Sequence, residues 1–576
     1  MIAGSLFATF HLWATWPVFS APARLIPGWE GDNMMFLWNL WWVGQDGWAL
    51  GRCGVQYAPD GLPFLFHTHT WLYGQLLLIV RPVLDLLAGR DPFGGLVLGY
   101  NLLMLWASVA SGLALVALCR MAGLRRWPVV LLLSLAVTFC HARLFAMYGH
   151  LNLVGTEFLF WAITVQSWAA FRAKGSVRAW ALAGVLTALA FLNDQTYGVF
   201  AGLFWIVLAL CQRIGRQFTA GDLGRAAAAF WGSFLGLAAL HLAPLAMLYG
   251  SADFMVASAF ERRVHDVANL LLPSDYHWLA GSKLHALRTA RGIDGGDGVG
   301  YVGWGLSAGA ALLLLRGRRL RADLKDPFVR LWLVVGVLGL LCVLSEWLTV
   351  GGRMICPLPY RVTRLLPVVD NIRVPERYIL FVLLAAMLAA GHGLEEAWRR
   401  WGRAAWGIWV AVVLIVLLEA RFLPVVTDVG APPYRLDDAT VHAIAERGGA
   451  VWVLPAAYVN YRASLWQIQH GQPIVFGTHA RIPHARVEAA FAEAPFLKSL
   501  LDPANWPADR VLAEDHADSR EAAADSVAAF LQARGVRTLL IAPGAENQWD
   551  RLSVFAAEEE LVAAGVVVQT VFPKSS

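Results

Sequence analysis

Charge is scarce in this 576-residue chain: Asp, Glu, Lys and Arg make up only 15% of it, where a soluble domain carries about 25%. Too little charge is present to cover a water-facing surface of this size. Lysine is almost absent, so arginine carries nearly all the positive charge. The formal net charge of +5 is too small and too scattered to argue for nucleic acid. Cysteine is scarce too. The six (Cys53, Cys119, Cys140, Cys211, Cys342 and Cys356) include no CxxC spacing and no zinc-type His pairing, so a zinc ribbon and a disulfide scaffold both fall away. Four of them sit in or beside apolar runs, where a thiol acts as a small hydrophobe. Repeats and low-complexity tracts are missing. The first apolar segment lacks the basic start and small-residue cleavage site of a signal peptide.

What the chain does have is apolar length. Hydrophobic residues make up 58%, Trp occurs 27 times and the mean hydropathy is +0.54. These figures predict a polytopic α-helical membrane protein with about eleven transmembrane helices, each near the roughly 20-residue requirement. The expected spans are 3–20, 96–119, 129–147, 151–171, 179–193, 196–212, 226–249, 301–316, 328–348, 377–394 and 404–423. Arginine clusters fix the orientation, because positive residues stay cytoplasmic. Arg120/Arg125/Arg126, Arg172/Lys174/Arg178, Arg213/Arg216/Arg225, Arg316–Lys325 and Arg399/Arg400/Arg403 fall between alternate pairs of spans. All five agree on one topology in a bacterial-type inner membrane: N-terminus cytoplasmic, C-terminus outside.

That topology leaves 1–425 as a membrane domain with long external loops at 21–95, 250–300 and 349–376. Within the first loop, 34–50 (with Trp38, Trp41, Trp42 and Trp48) and 67–88 read as helices lying in the membrane interface rather than as spans. Cys53 and Cys356 both fall in external loops, where a disulfide and two free thiols are both open. From 426 to 576 strand-like runs (AVWVLP, PIVFG, TLLIAP, VVVQTVF) alternate with Ala/Glu-rich helical runs, the pattern of a soluble α/β domain.

Four sets of residues could carry chemistry. Glu30 and Asp32, in Gly28-Trp29-Glu30-Gly31-Asp32-Asn33, lie at the outer membrane surface. A carboxylate at the edge of low dielectric gains proton affinity and suits a general base, although an acidic residue here could equally cap the helix that follows. His67 and His69 could share a ligand with Asp60, leaving a divalent metal open, or could be polar tips on an amphipathic face. His150, Asn152, Asp194 and Tyr197 emerge at the outer ends of spans, where polar residues usually face a cavity; with the acidic first loop they suggest one shared pocket. Arg353, Arg361, Arg364, Arg373 and Arg377 lie outside, against the orientation rule. They suit a phosphate or an ion network with Asp370 and Glu376.

Glu30-Gly31-Asp32, His67-Thr68-His69, Gly149-His150-Leu151-Asn152 and Asn371-Ile372-Arg373-Val374-Pro375-Glu376-Arg377, in this order of spans and loops, resemble the GT-C superfamily of membrane glycosyltransferases. The branch most similar is the family-39-like one, with protein O-mannosyltransferases and aminoarabinose transferases. The resemblance covers nearly the whole chain through short motifs. Family-39 enzymes usually carry adjacent Asp-Glu, whereas a glycine separates Glu30 from Asp32 here, so either carboxylate could be the base. The resemblance implies transfer of a sugar, with inversion, from a polyprenyl-phosphate-linked donor to a glycan, lipid or protein acceptor. Asp32 would be the base with Glu30 beside it. Arg373, Arg377 and Arg364 would hold the donor phosphate, and His67, His69, His150, Asn152, Asp194 and Tyr197 would line the sugar or acceptor pocket. A lipid or polysaccharide transporter or flippase is the rival, but it would need inverted repeats and broken helices, and the sequence displays neither. A non-catalytic scaffold of the same fold is a third reading.

Overall fold

Helices form at each of the eleven apolar segments in the computed structural model of the protein, as they must where no water satisfies a backbone amide. The structure describes residues 2–46, 52–63, 70–173, 175–249, 265–293, 298–317, 323–365, 374–422, 425–455, 460–477, 517–542 and 558–570, with a few single positions between. Local signals set the helix ends. Ser176, Asp194 and Asp326 each cap the helix that follows by accepting from its first-turn amides, and Pro327 occupies a first-turn position where no amide is needed. Among the described residues three helical stretches are long and apolar enough to cross a membrane: Pro92–Met121, Gln195–Ile214 and Pro375–Glu419. Trp127–Thr138 and His141–Met147, bent by 50°, make a fourth if they act together. Ile2–Ala14, Val177–Asn193, Trp304–Arg316 and Pro327–Val343 are apolar but shorter. The bend is a break that the sequence did not reveal.

The chain divides into two compact units. The first comprises Met1–Ser20, Leu102–Leu240 and Val256–Val425, and contains most of the apolar helices. The second comprises Ala21–Asn101, His241–Met255 and Val426–Ser576, so the first long loop shares a unit with the C-terminal region.

The second unit is built around a three-stranded parallel sheet in the order Ala450–Leu454, Val536–Ile541, Val567–Thr570. Near-continuous Val, Leu and Ile in these strands fits burial on both faces, and Ala450–Leu454 is buried throughout. Helices Asp438–Arg447, Tyr461–His470, Ala517–Ala533 and Glu558–Ala563 complete the α/β pattern. Ile474 extends the sheet beyond Val451 and bridges in parallel to Gln56 of the first loop.

A second tie joins Leu25–Pro27 to Val426–Asp428 as an antiparallel pair. Of the tryptophans expected at interfacial depth, three are instead core residues, and Trp48 lies outside the described residues. Trp38 is fully buried, Trp41 and Trp42 nearly so, because helix Asp32–Asp46 packs against Trp71–Leu87 and Tyr461–His470. Burying an indole of about 200 Å² contributes about 5 kcal/mol, more than an interfacial position would return. Trp38 also donates through Nε1 to Gln467 Oε1 at 2.7 Å. Helix Trp71–Leu87 carries apolar side chains on both faces: Tyr73, Leu77 and Leu84 are buried, while Ile79, Val83, Leu86 and Leu87 are exposed. All six cysteines are free, with Cys53 buried and Cys356 exposed.

Candidate functional site

Glu30 and Asp32 stand on a short, heavily anchored segment of the second unit. Strand Leu25–Pro27 is held by Val426–Asp428. Gly28 then turns the chain at φ +90°, a conformation that side chains resist, and its carbonyl accepts from Thr427 Oγ1 at 2.7 Å. Asn33 ties the far side by donating through Nδ2 to Pro27 O at 3.0 Å. Between these anchors the two carboxylates point at groups from the C-terminal region. The Tyr461 hydroxyl donates to Asp32 Oδ1 at 2.5 Å. The Tyr434 hydroxyl and Arg462 Nη2 both reach Glu30 Oε2, at 3.0 and 3.2 Å. The Arg462 guanidinium lies 5.8 Å from the centre of the Tyr434 ring.

These contacts separate two carboxylates that the sequence left equivalent. Glu30 is paired with a cation and a phenol on one oxygen, an arrangement that fixes the side chain in place. Asp32 takes the neutral Tyr461 hydroxyl on Oδ1. Both phenols are held above the ordinary tyrosine range, Tyr461 the further: burial comes first, then the adjoining carboxylate. They therefore remain hydrogen-bond donors.

Tyr434, Tyr461 and Arg462 were not singled out from sequence. The available signal was a repeated Tyr-Arg pair in the C-terminal region, Tyr434-Arg435 and Tyr461-Arg462. In each pair the tyrosine meets a first-loop carboxylate and the arginine forms an ion pair, Arg462 with Glu30 and Arg435 with Asp91 at 2.5 Å.

A second cluster lies in the first unit. Asp194 caps helix Gln195–Ile214 by accepting from Thr196 N at 2.8 Å and Tyr197 N at 3.3 Å. Its other oxygen takes a short hydrogen bond from Asn152 Nδ2, and the Tyr197 hydroxyl donates to Leu153 O at 2.7 Å. Asn152, Asp194 and Tyr197 are all buried. Thus three of the expected pocket residues come together, as a cap and a clamp on the turn at 151–154. His150 stands at the start of that turn, with its ring 6.2 Å from Phe145.

Arg377 is half-buried, and Tyr197 lies within its electrostatic reach and that of Arg143. A ring contact of 4.4 Å between Phe200 and Tyr378 fastens the two segments together. Beside Arg377, Glu376 lies 3.7 Å from His265, both buried. Arg364 falls in the 3-10 helix Pro359–Leu365, whereas His67, His69 and Arg373 lie outside the described residues. No group of three His, Cys, Asp or Glu able to hold a metal occurs among the described residues.

The fold is similar to that of a solved arabinofuranosyltransferase. The arabinofuranosyltransferase AftD from mycobacteria matches over 82% of this chain and 32% of its own, at 14% identity and a TM-score of 0.50. The oligosaccharyltransferase of Archaeoglobus fulgidus matches over 82% and 64%, at 10% identity and a TM-score of 0.48. The same archaeal enzyme, AglB, in complex with an inhibitory peptide and a dolichol-phosphate gives a TM-score of 0.41 at 10% identity. The chain thus spans about a third of AftD and under two thirds of AglB. By sequence it belongs to the family described as "Domain of unknown function (DUF6311)", which matches residues 66–418. Among curated proteins none matches it.

Proposed function

We propose that this protein is a membrane glycosyltransferase that moves a sugar from a polyprenyl-phosphate-linked donor to an extracytoplasmic hydroxyl, with inversion. The observation that carries the reading is the carboxylate pair and its unlike partners: Asp32 Oδ1 receives the neutral Tyr461 hydroxyl, while Glu30 is bound by Arg462 and Tyr434. Asp32 is then the general base, accepting the acceptor proton as the oxygen attacks the anomeric carbon, and Glu30 positions the loop. The phosphate departs with the pair of electrons of the glycosidic bond. Arg377, with Arg373 and Arg364, neutralises that charge, for which preorganised donors are effective. His150, Asn152, Asp194 and Tyr197, with His67 and His69, line the sugar side. In this reading residues 1–425 are the membrane domain in a bacterial-type inner membrane and 426–576 are extracytoplasmic.

Mass spectrometry of envelope glycans, glycolipids and surface proteins tests it, comparing a deletion strain with strains complemented by the natural gene or Asp32→Asn. Loss of one glycan on deletion, restored by the natural gene alone, is the expected outcome. An unchanged glycan profile on deletion refutes transfer. A transporter reading draws on the 50° break between Thr138 and His141, since broken helices build transport sites. It predicts that Asp32→Asn complements fully.

A further inference from the structure

We infer that the Tyr461 hydroxyl holds, on Asp32 Oδ1, the position that a carbohydrate acceptor hydroxyl takes during transfer, so that Tyr461 and its aromatic neighbours form the acceptor subsite and the acceptor binds by exchange. This deepens the proposed function and rests on Asp32 being the base.

A general base must lie within about 2.6–3.2 Å of the oxygen it deprotonates. At 2.5 Å, at the short edge of that reach, Tyr461 places a neutral hydroxyl oxygen. Its proton is not the one transferred, because burial and the Asp32 charge keep the phenol protonated. A second hydroxyl of ordinary acidity can replace it one for one: the hydrogen bond to Asp32 is conserved and the released phenol stays a neutral donor.

The surroundings indicate what that second hydroxyl belongs to. Trp29, 38% exposed, has its indole about 3.8 Å from where a side chain on Gly31 would begin. Gly31 thus keeps the ring close to the carboxylate backbone. Tyr434 and Tyr461 supply two further rings, both half-buried. Arg462 and Glu30 supply a donor fork and an acceptor at the rim, at 22% and 35% side-chain exposure. Flat aromatic faces match the C–H face of a sugar ring, and fixed polar groups beside them match its equatorial rim of hydroxyls. A small number of placed polar groups on an aromatic wall is how a site of this kind orients its ligand. A lipid tail would lay apolar surface against the Glu30–Arg462 ion pair with no group to hydrogen-bond to it. An anionic acceptor would face two carboxylates.

Two substitutions at one position separate place-holding from structural support. Tyr461→Phe keeps the ring and removes the hydroxyl that competes for Asp32. Tyr461→Ala removes both. The readout is carbodiimide coupling of glycine ethyl ester to Asp32, mapped by peptide mass spectrometry on full-length purified protein. It is run with and without methyl glycosides of arabinofuranose, mannose, glucose and galactose at millimolar to 100 mM concentration.

Tyr461→Phe should label Asp32 several-fold faster than the natural protein. Its glycoside concentration for half-protection should fall roughly tenfold, the worth of one competing charge-assisted hydrogen bond. Tyr461→Ala should label fast but lose protection, because the stacking surface is gone. Equal labelling of Asp32 in natural and Tyr461→Phe protein overturns the place-holder. Absence of protection by all four glycosides in Tyr461→Phe overturns the carbohydrate subsite. Coupling at Glu30, in the same spectra, reports whether a variant has lost the fold of this segment. No turnover is needed, so glycoside protection with an unchanged glycan profile would keep the subsite and sink the transferase reading, and the reverse pattern would do the opposite.

Discussion

Acid should loosen helix Tyr461–His470 through its last residue. His470 is buried in the second unit, with Nδ1 accepting from Gln472 N at 3.0 Å, and burial pushes its ring down from the ordinary 6.5 to about 3. The folded state therefore holds a neutral imidazole over a range where an opened chain would protonate it. Stability is complete above about pH 6.5 and declines as pH falls toward about 3, because the open state binds the extra proton. Between about pH 6.5 and pH 5 the linkage comes to roughly a sixteenfold gain in open population, or about 1.6 kcal/mol. Hydrogen exchange of the 461–477 peptide, corrected for intrinsic chemistry, reads this opening directly. His470→Asn is the control: its side-chain oxygen can accept from Gln472 but does not titrate. The natural protein should lose protection by about that factor on acidification, and the variant should not. Equal pH dependence in both would show that His470 is not the sensor. Since the same helix carries Tyr461 and Arg462 at its other end, the opening also withdraws the partners of Asp32 and Glu30.

Replacing Arg377 with Ala should slow sugar transfer by about a hundredfold, with Lys restoring only part because it lacks a planar fork; a normal rate per folded molecule in the Ala variant would remove Arg377 from the phosphate role. Asn152→Leu should lower the thermal midpoint in detergent, at a cost of about 1–3 kcal/mol, because a buried Asp194 oxygen then loses its amide donor; an unchanged midpoint would show that the clamp contributes nothing. Burial raises the Asp91 carboxyl, but the hydrogen bond and charge of Arg435 outweigh it and hold the group below the ordinary carboxylate range. Its contribution is thus present above about pH 4 and lost as pH falls further, so Asp91→Asn should be less stable than the natural protein at neutral pH. The two melting curves should converge in acid, and a gap that persists there would exclude the ion pair as its source.

The apolar helices were legible because lipid solvation demands long runs, and runs survive in one dimension. The strand at 450–454 and the helices from 517 and 558 were legible for a similar reason, since period and composition are local. The loop 21–101 was not. Trp38, Trp41 and Trp42 look interfacial in sequence, because aromatic residues crowd membrane surfaces and protein cores alike; only Gln467, more than four hundred positions away, decides between them. Asp32 and Glu30 were visible as a motif, yet their division of roles was not, since it depends on Tyr461, Tyr434 and Arg462. Those residues sit in stretches whose local pattern says only cap and turn. Asp194 illustrates the opposite case: a residue chosen for a cavity is also the cap of its own helix, and the two roles leave the same trace in sequence.

The pairing of Leu25–Pro27 with Val426–Asp428 sets an order of events in the cell. Asp32 and the Tyr461 that holds it are 429 residues apart. At about 5–20 residues per second, a ribosome needs roughly twenty to ninety seconds to travel from one to the other. Through that interval the indoles of helix Asp32–Asp46 and the two carboxylates wait without their final partners. The segment that emerges first is thus among the last to mature, and the candidate base is assembled only after the intervening helices have been made. A stalled or clipped chain would display a tryptophan-rich surface that the finished protein hides, which gives quality-control proteases a natural mark for incomplete copies.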